Sequence, residues 1–419
     1  MQDSGLILID LSDLLYALSF AIDAVEEQIL GVEREHGKRV AYLCMRMMKT
    51  QGLSNAELLD QVAAFLLHDN ALGGDYREEI GQYFSFAQSC NLTLPEDAAA
   101  DFHWTVGEHN FRTLPLRTKP WNIVLYHHEN ADGTGPLGKT EGETNLASEA
   151  LHLVDFLDAG LKLNTYSPDK YEKIQEFIRR FRGKLFSKRA CDLFLSVVTP
   201  DLLEHMAVIG PEKCLRQELP SVTDTYTEEE VRSISRFFSF IVDHRSSFTR
   251  RHSQSVADIA EIMARSYGWD HDKVIRYYFA GSLHDIGKLI ISNDILEKPG
   301  KLTTGEFAEM KHHAEASLFV LKRIKGLEDN VAEWAANHHE KLDGTGYSRG
   351  LNADQLTFED RLMAVVDIYV ALRERRPYKE GMTHEETMQI IRRQAELGKL
   401  DAGITEDFDK IEAVRSYFE

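Results

Sequence analysis

Apolar residues recur at helical spacing through most of the chain. Between residues 33 and 49, His36 is followed by Val40, Leu43 and Met47; between 252 and 263, His252 is followed by Val256, Ile259 and Met263. The offsets are four, seven and eleven in both stretches, so each histidine opens the buried face of an amphipathic helix. SDLLYALSFAIDAV and TYTEEEVRSISRFFSFIVDH read as long helices leading into these two stretches, and the helix containing VAAFLL delivers His68 and Asp69. Thr303 with Glu306, and Thr383 with Glu386, have the spacing of capping boxes. Period-two alternation is scarce, LILID being its best case. The chain is therefore expected to be all-α.

A second regularity runs across the helices. His36 and His68 are 32 residues apart, as are His252 and His284. From His103 to His127 is 24 residues against 25 from His313 to His338, and from His127 to Asp155 is 28 against 29 from His338 to Asp367. HHENADGTG, from His127 to Gly135, is nearly restated as HHEKLDGTG, from His338 to Gly346. IRR at Ile178 precedes GKL at Gly183, and IRR at Ile391 precedes GKL at Gly398. An internal duplication accounts for all of this at once. It predicts two tandem helical units, at 1–200 and 228–419, joined by a linker at 201–227 with Pro200, Gly210, Pro211 and Pro220 as breakers.

Length and composition fit this division: 419 residues exceed a typical domain, and 43% hydrophobic residues suffice for two cores. The net charge of −20 excludes a broad nucleic-acid or anionic-membrane surface. Cations for a phosphate ester must then be local. Cys44, Cys90, Cys191 and Cys214 are scattered, without metal or disulfide spacing, which fits thiols of a reducing cytoplasm. The apolar N-terminal stretch is interrupted by Asp10, Asp13 and Asp23 and reads as an amphipathic helix, not a signal peptide or membrane span. No receiver, PAS-like or membrane sensor segment is recognisable ahead of the units, so input is expected through the N-terminal copy, expression, or metal and redox state.

Adjacent His284 and Asp285, with Lys288 one helical turn on, change the picture from packing to chemistry. Imidazoles and carboxylates suit divalent Fe, Mn, Zn or Ni. One aspartate, Asp285 foremost, could bridge two ions while His252, His284, His313, His338, His339 and Asp367 fill the remaining positions. Two ions about 3.5–4 Å apart activate a water and hold the phosphoryl oxygen of the group it attacks. Lys288 would neutralise phosphate charge or assist the departing oxygen.

The motifs RRHS, HDIGK, LEKPGKLT, MKHHAE, NHHEKLDGTGY and RPYK, between Ser233 and Lys399, resemble those of the HD-GYP subgroup of HD-domain metal-dependent phosphohydrolases. The resemblance implies an all-α enzyme that uses iron or manganese to hydrolyse cyclic di-GMP or 3′,3′-cyclic GMP-AMP to a linear dinucleotide. It implies metal ligation by His252, His284, Asp285, His313, His338, His339 and Asp367, catalytic assistance from Lys288, and substrate contacts from Lys288, Tyr347, Arg376 and Lys379. It selects His313 over His312 in MKHHAE. Ser348 replaces the last residue of the Gly-Tyr-Pro signature, which puts partner recognition through that signature in doubt. Phe248 stands where members with three metals carry a glutamate, so two metals are expected.

The first copy keeps His36, His68, Asp69, His103, His127, His128 and Asp155, a candidate second metal site, with His109 as competitor to His103. It lacks the groups that would hold substrate. Leu72 takes the place of Lys288, Pro136 that of Tyr347, and Asn164 and Ser167 those of Arg376 and Lys379. A degenerate unit that stabilises or regulates the second is expected. The competing readings are a metal-dependent receptor that binds the nucleotide without hydrolysis, and a phosphohydrolase for another nucleotide. A homodimer and a signalling-protein partner both stay open.

Overall fold

The computed structural model describes residues 7–72, 103–219, 222–244, 251–298, 300–375 and 380–418. These residues are mostly helical, with a two-stranded antiparallel sheet. The chain forms two compact units. One is Leu18–Val222, and the other joins Thr223–Glu419 to the N-terminal stretch up to Ala17.

This division departs from the sequence-based one at both of its boundaries. LILID is a strand, Ile7–Asp10, which pairs with Thr223–Tyr226 in the register Ile7↔Tyr226 to Asp10↔Thr223. Ile7 and Ile9 are buried while Leu8 is exposed, as a half-buried strand requires. The Asp10 amide donates to the Lys325 carbonyl at 3.2 Å. Backbone groups of a short strand need partners, and these lie more than 200 residues away, so the first residues belong with the second unit. Thr223–Tyr226 is correspondingly strand, and the helix after it begins at Glu228 and runs to His244.

The expected linker is also structured. Helices Pro200–Ile209 and Pro211–Glu218 each carry proline in the first turn, where its missing N–H costs nothing, so these prolines start helices and do not break them. Glu218 accepts from Arg46 Nη1 (2.8 Å), Lys49 Nζ (2.9 Å) and the Tyr42 hydroxyl (3.0 Å), fastening this segment to the helix His36–Met48. Cys44, Cys191 and Cys214 are free and buried; Cys90 lies outside the described residues. No helix among the described residues is long and apolar enough to cross a membrane.

Each unit builds its histidines onto the same kind of frame. In the first, His36–Met48 packs against Asn55–Leu66 and Leu146–Leu161; in the second, His252–Ser266 packs against His271–Leu283 and Phe358–Arg373. The capping boxes at Thr303 and Thr383 form as their spacing predicted. In both units the loop after the histidine pair hydrogen-bonds to the distant GKL segment. Ala131 and Asp132 amides donate to Leu185 and Lys184 carbonyls at 3.0 Å, and the Leu342 amide donates to Lys399 O at 3.0 Å.

The second unit closes around Gly287. A Cβ there would stand 1.9 Å from the His313 carbonyl oxygen, and Ser317 Oγ accepts the Gly287 amide (2.9 Å) while donating to the His284 carbonyl (2.8 Å). Glycine thus lets the HDIGK turn lie directly on the helix Thr304–Leu321 that carries His313. Gly287→Ala is expected to destabilise this unit by at least the about 1–3 kcal/mol typical of overpacking, read as a lower urea midpoint for its unfolding transition.

Candidate functional site

The second unit brings together its seven expected ligands. His252 opens one helix, His284 and Asp285 follow the end of another at Leu283, and His338 and His339 come just after the helix Asn330–Ala336. His313 and Asp367 project from the helices Thr304–Leu321 and Phe358–Arg373. Six of the seven are buried, and only the His339 side chain is partly open, at 26% exposure. Metal-sized groupings form at His252–His284–Asp367, His313–His338–His339 and His284–Asp285–His338.

Asp285 sits between two sets of imidazoles. Its Oδ2 lies 3.1 Å from His284 Nε2 and 3.9 Å from His252 Nε2, whereas its Oδ1 lies 3.4 Å from His313 Nε2 and 3.8 Å from His338 Nε2. Asp367 spans a second gap, with Oδ1 3.2 Å from His252 Nε2 and Oδ2 3.7 Å from His339 Nδ1. Lys288 makes a short ion pair with Asp285 Oδ2. A carboxylate presenting each oxygen to a different histidine set has the form of a bridging ligand.

The histidines are oriented from behind. His284, His313 and His338 place Nδ1 2.7, 2.6 and 2.6 Å from the carbonyls of Gly281, Met310 and Ala335. A carbonyl can only accept, so Nδ1 carries the proton and the Nε2 lone pair faces the centre. His252 meets a carboxylate on each side, Nδ1 donating to Glu374 Oε2 at 2.9 Å and Nε2 to Asp367 Oδ1 at 3.2 Å. Two of the inward atoms, His284 Nε2 and Asp285 Oδ1, have no hydrogen-bond partner in the protein. Buried polar atoms without partners are costly, and this donor set of imidazoles and carboxylates fits divalent transition ions.

Electrostatics follow from the same packing. Burial, with repulsion from neighbouring imidazoles, holds His338 well below the usual histidine range; burial, against the pull of nearby carboxylates, brings His313 to about 4 and His339 to about 3. All three are neutral, as metal ligands must be. Burial also opposes a charge on His252, but hydrogen bonds to Asp367 and Glu374 overcome it and lift the group to about 10. Burial would raise Asp285, yet His284 and Lys288 hold it well below the carboxylate range; Lys288, despite burial, is raised by Asp285.

On the open side, the Tyr347 ring lies 4.6 Å from that of His339 and 6.0 Å from that of Phe307, with Lys311 Nζ 5.4 Å from its centroid. Phe307 is 44% exposed. His312 points away, its side chain 66% exposed. Arg376, Lys379 and Phe248 lie outside the described residues. Sequence reasoning missed Glu374, Lys311 and Phe307, and also Glu340, whose carboxylate gathers the amides of Arg349 (2.7 Å), Gly350 (3.1 Å) and Leu351 (2.9 Å) into the loop beyond the histidine pair. The glutamate of HHE in both copies was a legible signal: Glu129 accepts likewise from the Leu137 and Lys139 amides, at 2.6 and 2.5 Å.

The first unit assembles its seven residues too, all buried. Asp69 Oδ2 lies 3.6 Å from His68 Nε2, and Oδ1 lies 3.5 and 3.8 Å from His103 and His127 Nε2. His36 bridges Asp155 (3.0 Å) and Asp158 (2.6 Å), while His103 Nε2 lies 2.9 Å from His128 Nε2. His109 is exposed, which excludes it from the cluster. Leu72 is buried where the other unit has its lysine, and the Ser167 hydroxyl caps the helix Pro168–Phe181. Burial pushes Asp69 up to about 8, with Asp155 adding to the rise. A further carboxylate, Glu26, is fully buried near this cluster.

Glu374 meets the outer nitrogen of His252 and so fixes the orientation of its ring. Glu374→Gln is expected to weaken metal retention about 10- to 100-fold, the usual cost of losing an outer hydrogen-bond partner, measured as metal content after titration with a chelator.

Residues 236–404 match the HD domain family. Over 409 residues the chain is 28% identical to 3′3′-cGAMP-specific phosphodiesterase 1 of Vibrio cholerae, covering 94% of this chain and 90% of that protein. It is 34% identical over 190 residues to a cyclic di-GMP phosphodiesterase of Thermotoga maritima, spanning about half of each (45% and 51%). The crystal structure of a cyclic GMP-AMP specific phosphodiesterase of V. cholerae superposes with a TM-score of 0.63 at 21% identity, over 96% of this chain and 97% of that one, a likeness of fold. With the HDIGK and HHEKLDGTGY segments meeting in one buried centre, residues 236–404 form an HD domain, similar to those of the cyclic dinucleotide phosphodiesterases.

Proposed function

We propose that the second unit is a metal-dependent phosphodiesterase that opens a cyclic dinucleotide to its linear form. The observation that carries this reading is the Asp285 carboxylate, split between two sets of imidazoles with Lys288 on one oxygen. His252, His284 and Asp367 would hold one ion and His313, His338 and His339 the other, iron or manganese before nickel or zinc. Bound there, the ions supply a water of lowered pKa and a Lewis acid for the phosphoryl group.

The chain's own groups then have separate tasks. The imidazoles of His313, His338 and His339, held neutral, stay available as ligands. Lys288 neutralises charge on the phosphate as the water oxygen forms its bond to phosphorus and one P–O ester bond breaks. The departing oxygen then takes up a proton. Tyr347, with Phe307 and Lys311 beside it, offers an aromatic and cationic face on the one open side, suited to a nucleobase and its phosphate. Arg376 and Lys379 are proposed to supply further positive charge.

The V. cholerae relative matched along nearly the whole chain is named for 3′3′-cGAMP, which puts cyclic GMP-AMP first and cyclic di-GMP second as substrate. The first unit lacks the equivalents of Lys288 and Tyr347, and we read it as non-catalytic. Its matching frame and loop contacts support an origin of the two units by duplication. The buried free thiols agree with a reducing, cytoplasmic setting.

Protein loaded anaerobically with Fe(II) or Mn(II) is expected to linearise one or both nucleotides, and Asp285→Ala to abolish turnover. Lys288→Ala should lower kcat about 10²–10³-fold, as loss of one transition-state donor does, with the metal content retained. Tight binding without cleavage under either metal would transfer the assignment to a receptor; absence of binding to either nucleotide would refute the substrate class. Tyr347→Ala is expected to raise KM with little change in kcat, the mark of a group that binds ground and transition states alike, in steady-state assays on the faster substrate.

A further inference from the structure

Outside the catalytic unit, one buried group has no assigned task. Glu26, on the helix Leu11–Leu30, is 0% exposed, and neither of its carboxylate oxygens has a hydrogen-bond partner in the protein. Its neighbours locate it. A Cβ placed on Gly37, next to His36, would lie 3.5 Å from Glu26 Oε1 and 3.5 Å from the carbonyl of Leu66, two residues before His68. The carboxylate therefore stands where the His36 and His68 elements meet. The fields of His36, His68 and Asp69 all act on it.

The other acids here are already matched. Asp23 has a short ion pair with Lys38, and Asp158 is paired with Arg39 at 2.7 Å. Glu26, Asp69 and Asp155 have no lysine or arginine partner among the described residues, and His68 Nε2 and His127 Nε2 also lack hydrogen-bond partners. Three buried carboxylates beside lone pairs that nothing in the protein engages have one economical complement, a divalent cation.

We propose that the first unit holds a closed, non-catalytic metal centre in which Glu26 is a ligand added to His36, His68, Asp69 and Asp155. Ten residues before His252 stands Val242; its neighbour Asp243 is also buried, but it accepts from the Ser253 hydroxyl at 2.8 Å, whereas Glu26 has no such partner. Closure has a visible cause. Trp104 packs its ring 4.9 Å from His103 and 5.3 Å from His128, where the second unit has only Ala314 after His313. His128 is 4% exposed, against 26% for the side chain of its counterpart His339. A saturated site with no open position stabilises a fold and does not process substrate.

The test reads metal, not turnover, so it stands apart from the substrate assignment. Full-length protein carrying His284→Ala and Asp285→Ala is loaded anaerobically with Mn(II) or Fe(II), desalted, and assayed for metal by mass spectrometry. It is expected to retain metal and to melt at higher temperature with it. Further replacement of His68 and Asp69 by Ala should abolish both effects. In the same background Glu26→Gln should weaken retention, in chelator competition, by more than the about 10- to 100-fold that loss of an outer partner costs. Metal-free, Glu26→Gln should melt no lower than its parent, because neither carboxylate oxygen makes a hydrogen bond that glutamine would lose; a merely structural glutamate would melt lower with and without metal. Absence of metal from the silenced protein, or unchanged retention in Glu26→Gln, overturns the proposal.

Discussion

Carboxylates do not stay buried and ionised without compensation, and both units are organised by that constraint. Moving an ion of this size out of water costs several kcal/mol even after the protein relaxes. In the second unit Asp285 meets the cost with His284 and Lys288, and Asp367 with His252. The helices converge on those carboxylates, and their glycine-lined crossings allow imidazoles to approach from several sides. Without Gly287 the HDIGK turn could not lie on the His313 helix, and one carboxylate could not serve two histidine sets.

Orientation is the second layer of the same design. Five histidines, His68 and His127 in one unit and His284, His313 and His338 in the other, give their Nδ1 proton to a backbone carbonyl three residues earlier. The carbonyls are those left free where a helix turn ends or passes, so secondary structure itself selects the tautomer. The first histidine of each unit uses a carboxylate instead, Asp158 for His36 and Glu374 for His252. Those two come from different points of the chain, three and seven residues beyond the final aspartate. The same task is met by unlike local sequences.

What separates the units is access. Similar centres are built in each, but one has Lys288, Tyr347 and an exposed Phe307 around a partly open histidine, while the other has Leu72, Pro136 and Trp104. A lysine and a tyrosine at a partly exposed edge can meet a phosphate and a base. A leucine and an indole over buried imidazoles seal them. The two centres thus differ less in their histidines and aspartates, which are shared, than in the few side chains around them.

The clustered histidines and aspartates were legible from the chain alone because spacing encodes them: helices of similar length separate the same residue types twice, and periodicity reports which face each histidine opens. The all-α class and the capping boxes were readable for the same reason, being local. The unit boundaries were not, because the strand Ile7–Asp10 finds its backbone partners at Thr223–Tyr226, and no local pattern records so distant a pairing. Nor did the linker's prolines reveal that they start helices, since that depends on what the helices pack against. Glu374 and Glu26 were invisible as site residues, because an isolated glutamate carries no signal until tertiary structure buries it beside a histidine. Sequence by itself determined which groups could bind metal and in what order they occur. Only the tertiary structure decided which carboxylates lose their water, because burial beside an imidazole depends on how distant helices pack.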